Sequence, residues 1–185
     1  MPIINSEEGE REGIMQVSRL MLVSARTAPK SGGVDDILTA LVSGKEKESL
    51  AKEMEKIGEE RSISGFERDA GNTRNSEAVV LIGVRGTKKY GLNCGACGYV
   101  DCDEFEKAEK KTGQDFTGST CVFKALDLGI AVGSAVKTAS ILNVDNRIMY
   151  RIGAAARRLN MMPEASVIMG IPVSAKGKNI YFDRK

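Results

Sequence analysis

All four cysteines of this 185-residue chain lie between residues 94 and 121, in the spacing C-x2-C-x4-C-x18-C. Four thiolates in one short segment predict a single metal site, because thiolates are the soft ligands that many transition metals prefer. Gly95 follows the first cysteine and Gly98 follows the second. Glycine lets the backbone wrap closely around a bulky group and turn its N–H groups toward it. This segment therefore constrains fold and chemistry more than any other part of the chain.

The spacing favours an iron–sulfur cluster of the [4Fe–4S] type, which takes one thiolate for each iron. Two alternatives stay open. A structural zinc site can also use four cysteines, although zinc ribbons usually present two C-x2-C pairs. A pair of disulfides would require an oxidising compartment. The predicted metal ligands are Cys94, Cys97, Cys102 and Cys121.

The chain contains no histidine, and this removes whole classes of mechanism. Ser-His-Asp and Cys-His catalysis and histidine-ligated zinc hydrolysis are excluded. The sequence also lacks a Walker A loop and a G-x-G-x-x-G fingerprint. Proton transfer would fall to carboxylates, lysine, tyrosine or cysteine.

The composition indicates a globular protein of one domain, or of one domain with an inserted module. Apolar residues make up 42% of the chain and the net charge is +2, too balanced to favour nucleic acid or an anionic membrane surface. The polar, acidic residues 1–10 are unlike a signal peptide. The longest uncharged apolar run, Leu128–Val136, is too short to span a bilayer. We therefore expect a cytoplasmic protein.

Hydrophobic spacing predicts several helices around a small sheet, which is an α+β fold. Asn5 or Ser6 is expected to cap a first helix that ends before Pro29, and Val34–Val42 fits a short helix or an extended segment. The continuous apolar run Ala78–Val84 predicts a central buried strand. Further helices are expected at 46–61, 122–142 and 145–159, a polar helix at 103–111, a loop at 62–76, and strands at 167–169 and 179–182, with Gly170-Ile171-Pro172 breaking the former.

Small residues recur along the helix predicted over residues 122–142. Gly129 and Gly133 are four residues apart and would allow another helix to approach closely, within the subunit or across a dimer. We expect a homodimer.

The run Cys94-Gly95-Ala96-Cys97-Gly98-Tyr99-Val100-Asp101-Cys102 resembles the iron–sulfur domain of corrinoid iron–sulfur proteins and of electron-transport complex subunits. The chain as a whole is similar to a family of uncharacterised prokaryotic proteins that contain a ferredoxin domain. These resemblances imply an iron–sulfur redox protein acting in electron transfer with an unidentified redox partner.

Outside residues 85–121 the chain resembles nitroreductase-type flavoproteins. Ala28-Pro29-Lys30-Ser31-Gly32-Gly33 is similar to their flavin-binding turn, and Gly170-Ile171-Pro172 to their Gly-Tyr-Pro turn, beyond which a basic residue contacts flavin phosphate. The resemblance implies FMN as a candidate second cofactor, with its phosphate near Arg26, Ser31, Lys176 and Lys178. A loop with solvated charges is the simpler interpretation of the first turn.

These features predict a nitroreductase-like core, residues 1–84 and 122–185, with an inserted iron–sulfur module, residues 85–121. The first functional hypothesis is electron transfer through a [4Fe–4S] cluster. One alternative is an FMN-dependent oxidoreductase that receives electrons from the cluster. Another is a non-enzymatic protein that a four-cysteine zinc site stabilises.

Overall fold

The computed structural model describes residues 3–182. The helices of the chain are α1 Ser6–Thr27, α2 Gly44–Arg61, α3 Ser64–Asn75, α4 Cys102–Lys107, α5 Val122–Ile141 and α6 Tyr150–Arg158. The strands are β1 Ile37–Val42, β2 Ala78–Val84, β3 Lys111–Thr112, β4 Thr117–Gly118, β5 Asp145–Asn146 and β6 Val167–Ser174. The fold is α+β, as predicted.

The main sheet is antiparallel and has the strand order β1-β2-β6-β5. Strand β2 lies inside it and is buried along its whole length. One end of β2 places Val84 opposite Ile37 and Val167, and the other end places Ala78 opposite Val173. Strands β3 and β4 form a separate hairpin.

Helices cover both faces of the sheet, which explains why β2 is apolar without interruption. Val79 and Leu81 belong to the core beneath α2, α3 and α6. Val80 and Ile82 point the other way, into the core shared with α1 and α5. Because successive side chains of a strand point to opposite faces, a strand with two covered faces needs apolar residues throughout.

The predicted start of the first helix is confirmed. The Asn5 side chain accepts a 2.9 Å hydrogen bond from the Glu8 amide, so Asn5 is the N-cap of α1. Such a cap satisfies an amide that has no partner within the helix. One face of α1 is buried through Ile14, Ser18, Met21 and Ala25.

The prediction of a loop over residues 62–76 was wrong. Helix α3 occupies Ser64–Asn75 and buries Phe66, Ala70 and Thr73 on one face. The stretch consists mostly of Ser, Gly, Asn and charged residues, so its short apolar stripe with helical spacing was overlooked. Packing against α2 and α6 stabilises α3 where its composition alone would not.

Strand β6 continues through Gly170-Ile171-Pro172, where a break was predicted. Gly170 exchanges two backbone hydrogen bonds with Met149, so the nitrogen of Pro172, two residues on, faces the same side. Strand β5 pairs only with Val173 and Ser174. Pro172 therefore lies where β5 offers no ladder bond, and its missing N–H removes none.

Three further boundaries differ from the prediction. The helix expected at 145–159 comprises only Tyr150–Arg158, because Asp145 and Asn146 form β5. The polar helix expected at 103–111 ends at Lys107, and Lys111 belongs to β3. For residues 34–42 the extended alternative is confirmed, since they contribute the edge strand β1. Residues 179–182 form a turn and no strand, with Tyr181 as a buried anchor whose hydroxyl shares a 2.8 Å hydrogen bond with the Ser76 hydroxyl.

A cysteine-rich candidate metal centre

The four cysteines lie in the segment that connects β2 to α5. Cys94 and Cys97 are in the loop before α4, Cys102 is the first residue of α4, and Cys121 is the N-cap of α5. Cys94 is exposed and Cys97 half-buried, whereas Cys102 and Cys121 are buried. Within the described residues, all four are free thiols.

Asn93 and Cys102 close the loop between them. The Asn93 amide donates to Cys102 Sγ at 3.3 Å, and the Cys102 amide donates to Asn93 Oδ1 at 3.0 Å. Asn93 adopts a φ of 51°, a left-handed conformation that asparagine tolerates better than most residues. Amide hydrogen bonds to sulfur are one means by which a protein tunes a thiolate-ligated metal centre.

The glycines of the loop adopt conformations that other residues rarely take. Gly95 has a φ of 70° and Gly98 a φ of 87°, and the Gly98 amide donates to the Gly95 carbonyl at 2.9 Å. A β-carbon on Gly98 would meet no described atom within 4 Å. The loop is therefore tightly turned, with open space beside its backbone.

Tyr99 anchors the cysteine loop to the segment that precedes Cys121. Its hydroxyl lies 3.1 Å from the Ser119 hydroxyl, and its ring packs edge-to-face on Phe105, with 5.6 Å between centroids. Lys110 Nζ lies 3.8 Å from the Phe105 ring centroid. These contacts connect the loop, α4 and the approach to α5.

Cys121 is fixed to the end of β2 by its backbone. Its amide donates to the Gly86 carbonyl at 2.9 Å, and the Gly86 amide donates to Ser166 Oγ at 2.9 Å. Among residues 3–182, no three His, Cys, Asp or Glu side chains converge closely enough to hold one metal ion. Three of the cysteines share one short stretch of sequence, and the backbone of the fourth is hydrogen-bonded to the loop that leaves β2.

The donor set fits an iron–sulfur cluster chemically. Such a cluster requires soft thiolates, and the chain offers four, one with an amide already directed at its sulfur. A cube of iron and sulfide presents a separate iron to each thiolate, so its ligands surround a larger volume than those of one ion. The open space at Gly98 is compatible with a bulky group.

A buried ion network beside this segment was not predicted from the sequence. Lys124, 1% exposed, donates to Asp36 Oδ2, and Lys88 Nζ lies 3.4 Å from Asp36 Oδ1. Burial opposes ionisation of Asp36, but the hydrogen bonds and charges of the two lysines outweigh burial and lower its pKa. A signal existed, because Lys124 shares the helical spacing of Leu128 and Ala131, both buried.

Lys89 holds the start of the segment against α4. Its Nζ lies 2.8 Å from Asp103 Oδ1 and 2.9 Å from Glu106 Oε2. The hydrogen bond from Lys89, followed by its charge, lowers the pKa of Asp103. Lys88 and Lys89, the two consecutive lysines before the cysteine loop, therefore both have carboxylate partners.

Two of the four predicted flavin residues lie near the start of β1. Arg26 pairs with Asp35 and donates to the Ile37 carbonyl at 2.9 Å. Ser31 opens a short 3₁₀ turn, and both its amide and its hydroxyl donate to buried Asp127 Oδ1 at 2.9 Å. The groups with which Ser31 could bind phosphate are therefore engaged by a carboxylate.

Lys176 lies at the opposite end of the sheet. Its Nζ is 3.8 Å from Glu77 Oε1, and Glu77 immediately precedes β2. Lys178 follows two residues later and is exposed. Seven residues of β2 span about 20 Å, so one copy of the chain does not bring Arg26 and Lys176 to one phosphate.

A groove lies beside Glu77, between α1 and the corner that joins β1 to α2. It has a volume of about 890 Å³, and its lining includes Arg11, Arg19 and Ser43. Glu77 Oε2 is buried there without a hydrogen-bond partner among the described residues. Neither arginine was singled out from the sequence, because isolated charges on a surface helix carry no specific signal.

The fold is that of nitroreductase-type flavoproteins. The chain superimposes on nitroreductase A from Vibrio parahaemolyticus with a TM-score of 0.53 and 11% identity, covering 96% of this chain and 62% of that protein. For the NADPH:FMN oxidoreductase of Vibrio harveyi the TM-score is 0.54 at 12% identity, covering 100% and 65%. For nitroreductase CinD of Lactococcus lactis it is 0.56 at 13% identity, covering 95% and 81%. The chain thus spans less than two thirds of the first two proteins.

Sequence comparison identifies the family. The chain is 48% identical over 182 residues to a protein of Archaeoglobus fulgidus described as uncharacterized, covering 98% of this chain and 97% of that one. Residues 117–184 match the family described as "uncharacterized protein containing a ferredoxin domain". The chain belongs to this family of ferredoxin-domain proteins, a description that indicates iron–sulfur electron transfer.

None of the helices between residues 3 and 182 combines the length and the apolar character that a bilayer crossing requires.

Proposed function

We propose that this protein transfers electrons through a [4Fe–4S] cluster ligated by Cys94, Cys97, Cys102 and Cys121. The observation that carries the proposal is the way the cysteine segment is fastened at one end of β2. The Tyr99 hydroxyl is hydrogen-bonded to the Ser119 hydroxyl, two residues before the fourth cysteine. The Cys121 amide donates a hydrogen bond to the Gly86 carbonyl, two residues after β2. One side-chain bond and one backbone bond therefore connect the cysteine loop, the approach to Cys121 and the loop that leaves β2.

A bound cluster would supply one-electron redox chemistry, with every iron coordinated by a thiolate and none left for substrate. The chain contributes ligands, hydrogen bonds and shielding. Asn93 donates an amide hydrogen to Cys102 Sγ, and Phe105 and Tyr99 form an apolar wall beside the loop. Hydrogen bonding and burial are the means by which a protein adjusts such a centre.

Anaerobic loading with iron and sulfide tests the proposal. We expect about four irons and four sulfides per chain, and visible absorption that bleaches on reduction. Cys121→Ser should lose most of this iron and sulfide. Ser140→Ala, an exposed position on the last turn of α5, is the control and should retain the iron and sulfide of the wild type. A colourless protein that holds stoichiometric zinc would contradict the proposal and favour the structural zinc site.

A second candidate function is an FMN-dependent oxidoreductase that receives electrons from the cluster. The fold supports it, since one structural neighbour at 11% identity is an oxidoreductase containing FMN. The groove beside Glu77, the ion-pair partner of Lys176, is lined by Arg11 and Arg19. Their guanidinium groups are suited to binding phosphate. Because Arg26 and Lys176 are far apart in one copy, a flavin in contact with both requires a second copy.

Fluorescence titration of the cluster-loaded protein with FMN tests this candidate. Saturable binding that Arg19→Gln weakens, and that Arg68→Gln on α3 leaves unchanged, would support a flavin site at the groove. Failure of FMN to bind the loaded protein would exclude the candidate while leaving electron transfer intact.

We also propose a homodimer formed through α5. Gly129 and Gly133 have no described atom within 4 Å of where a β-carbon would lie, so no helix of the same chain packs there. Leu126 and Ile130 lie on the same face and are 54% and 44% exposed. An apolar helix face with glycines at its centre is suited to close packing against its own copy.

We propose further that the chain consists of a core, residues 1–84 and 122–185, and an inserted module, residues 85–121. Residues 85–121 leave the end of β2 and return to the start of α5, contributing α4 and the β3–β4 hairpin but no strand of the main sheet. The four thiols are suited to the reducing cytoplasm.

A further inference from the structure

An ion network formed by the buried residues Asp36 and Lys124 and the exposed Lys88 lies next to the candidate metal centre. The Asp36 side chain accepts a hydrogen bond from Lys124 Nζ and lies 3.4 Å from Lys88 Nζ. Asp36 is 7% exposed and Lys124 1% exposed, while the Lys88 side chain is 61% exposed. With two cations and one anion, the ion network carries one net positive charge.

Backbone bonds fix this ion network to the cysteine segment. The Asp36 carbonyl accepts from the Arg85 amide at 3.0 Å, and the next residue, Gly86, accepts from the Cys121 amide. Lys124 lies in the first turn of α5, three residues after Cys121. The buried ammonium and the fourth thiol therefore belong to adjacent, hydrogen-bonded elements.

Stability alone does not require this arrangement. A buried ion pair gains Coulomb energy but loses hydration, and apolar replacements of similar volume are often as stable. A charge buried in a medium of low polarity acts strongly on other charges nearby. A thiolate-ligated iron centre becomes more negative on reduction, so its reduced form responds most to a neighbouring cation.

We propose that Lys124 raises the reduction potential of the centre ligated by Cys121, and that Asp36 limits this increase. The inference rests on the proposed electron-transfer function. On reduction, one electron from an external donor such as dithionite, itself oxidised to sulfite, enters the centre, and no proton is required. Lys88 contributes in the same direction as Lys124, but from a solvated position.

Redox titration of the anaerobically loaded protein against mediator dyes tests the proposal. Lys124→Met should disfavour reduction about tenfold, a fall of about 59 mV in midpoint potential for one electron. Asp36→Asn should shift the potential upward. Lys137→Met, an exposed position on the same helix, is the matched control and should leave the potential unchanged.

The salt dependence of the midpoint potential distinguishes the effect of the buried Lys124 charge from that of the solvated Lys88 charge. The shift caused by Lys88→Met should shrink at high ionic strength, whereas the shift caused by Lys124→Met should persist, because buried charges are poorly screened. If Lys124→Met does not fold, Asp36→Asn and Lys88→Met still decide the proposal by the direction of their shifts.

The two levels of the proposal fail differently. A wild-type protein that cannot hold iron and sulfide overturns the electron-transfer function and this inference together. The inference alone is overturned if the wild-type protein holds iron and sulfide but Lys124→Met has the same midpoint potential as the wild type, or differs from it no more than Lys137→Met does.

Discussion

The Tyr90 ring rests on the backbone of Gly32. A β-carbon at residue 32 would overlap the Tyr90 hydroxyl and lie 3.2 Å from Tyr90 Cζ. The same ring stacks on Phe123, with centroids 5.8 Å apart and planes inclined by 26°. The start of the cysteine segment therefore packs between the turn after α1 and the first turn of α5, which joins it to the core.

Gly32→Ala should destabilise the protein by about 2–3 kcal/mol. The substitution forces alanine into a φ of 55° and displaces Tyr90. Gly33→Ala is the matched comparison, because Gly33 also has a positive φ, 70°, but open space around it. It should cost only about 1–2 kcal/mol in urea unfolding. Equal costs for both variants would show that the Tyr90 contact contributes nothing.

Gly153→Ala should destabilise the fold by about 3 kcal/mol, because α6 packs directly against the backbone of β6. A β-carbon at residue 153 would overlap the Ile168 carbonyl oxygen and lie 2.5 Å from its carbon. Gly71→Ala, within α3 but with no described atom within 4 Å of the added β-carbon, should instead stabilise by about 0.5–1 kcal/mol through helix propensity. Thermal unfolding of both variants measures the contrast, and a neutral Gly153→Ala would contradict the observed packing.

Stability should decline in strong alkali because of Tyr181. Burial raises the pKa of Tyr181 above its usual value of 10.0, and the hydrogen bond with Ser76 offsets this only in part. Above pH 10 the unfolded chain loses this proton while the folded chain retains it. The free energy of unfolding should therefore fall by about 1.4 kcal/mol per pH unit from this group.

Tyr181→Phe isolates this contribution. It should cost about 1 kcal/mol at neutral pH through loss of the Ser76 hydrogen bond. Above pH 10 the variant should lose stability less steeply than the wild type. Parallel curves for the two proteins would show that Tyr181 ionises equally in both states.

Ile130→Asp should convert the proposed homodimer to a monomer. The change puts a charge on the exposed apolar face of α5, where pairing with a second copy would bury it. Light scattering coupled to size exclusion measures the mass. Leu20→Asp, an exposed apolar position on α1, is the comparison and should leave the dimer intact. A wild-type chain that is monomeric at all concentrations would contradict the dimer.

The sequence was most informative where one local rule dominated. Local sequence patterns predicted three features that the structure contains: the Asn5 cap, the wholly buried strand β2 and the long helix after Cys121. Helix α3 was missed because its stability comes from tertiary packing around Phe66 and Ala70. Pro172 was taken as a break because only the topology shows that its nitrogen faces no strand.

The same distinction between local pattern and tertiary contact applies to the candidate site. Spacing predicts the four cysteines as metal ligands, since ligand chemistry imposes a local pattern, and this assignment stays a prediction. Asp36 and Lys124 are 88 residues apart in the chain, and no local pattern relates them. Arg26 and Ser31 bind Asp35 and Asp127, partners that only the fold brings near.

The accessibility of the thiols decreases from the first cysteine to the last. Cys94 is exposed and Cys97 half-buried, while Cys102 and Cys121 are shielded by the fold. Dissolved oxygen and peroxide attack accessible thiolates first, so air should modify the leading pair before the trailing pair. A preparation handled aerobically would thus retain two intact thiols deep in the protein and lose the outer two, and peptide mass spectrometry would reveal how the sample had been treated.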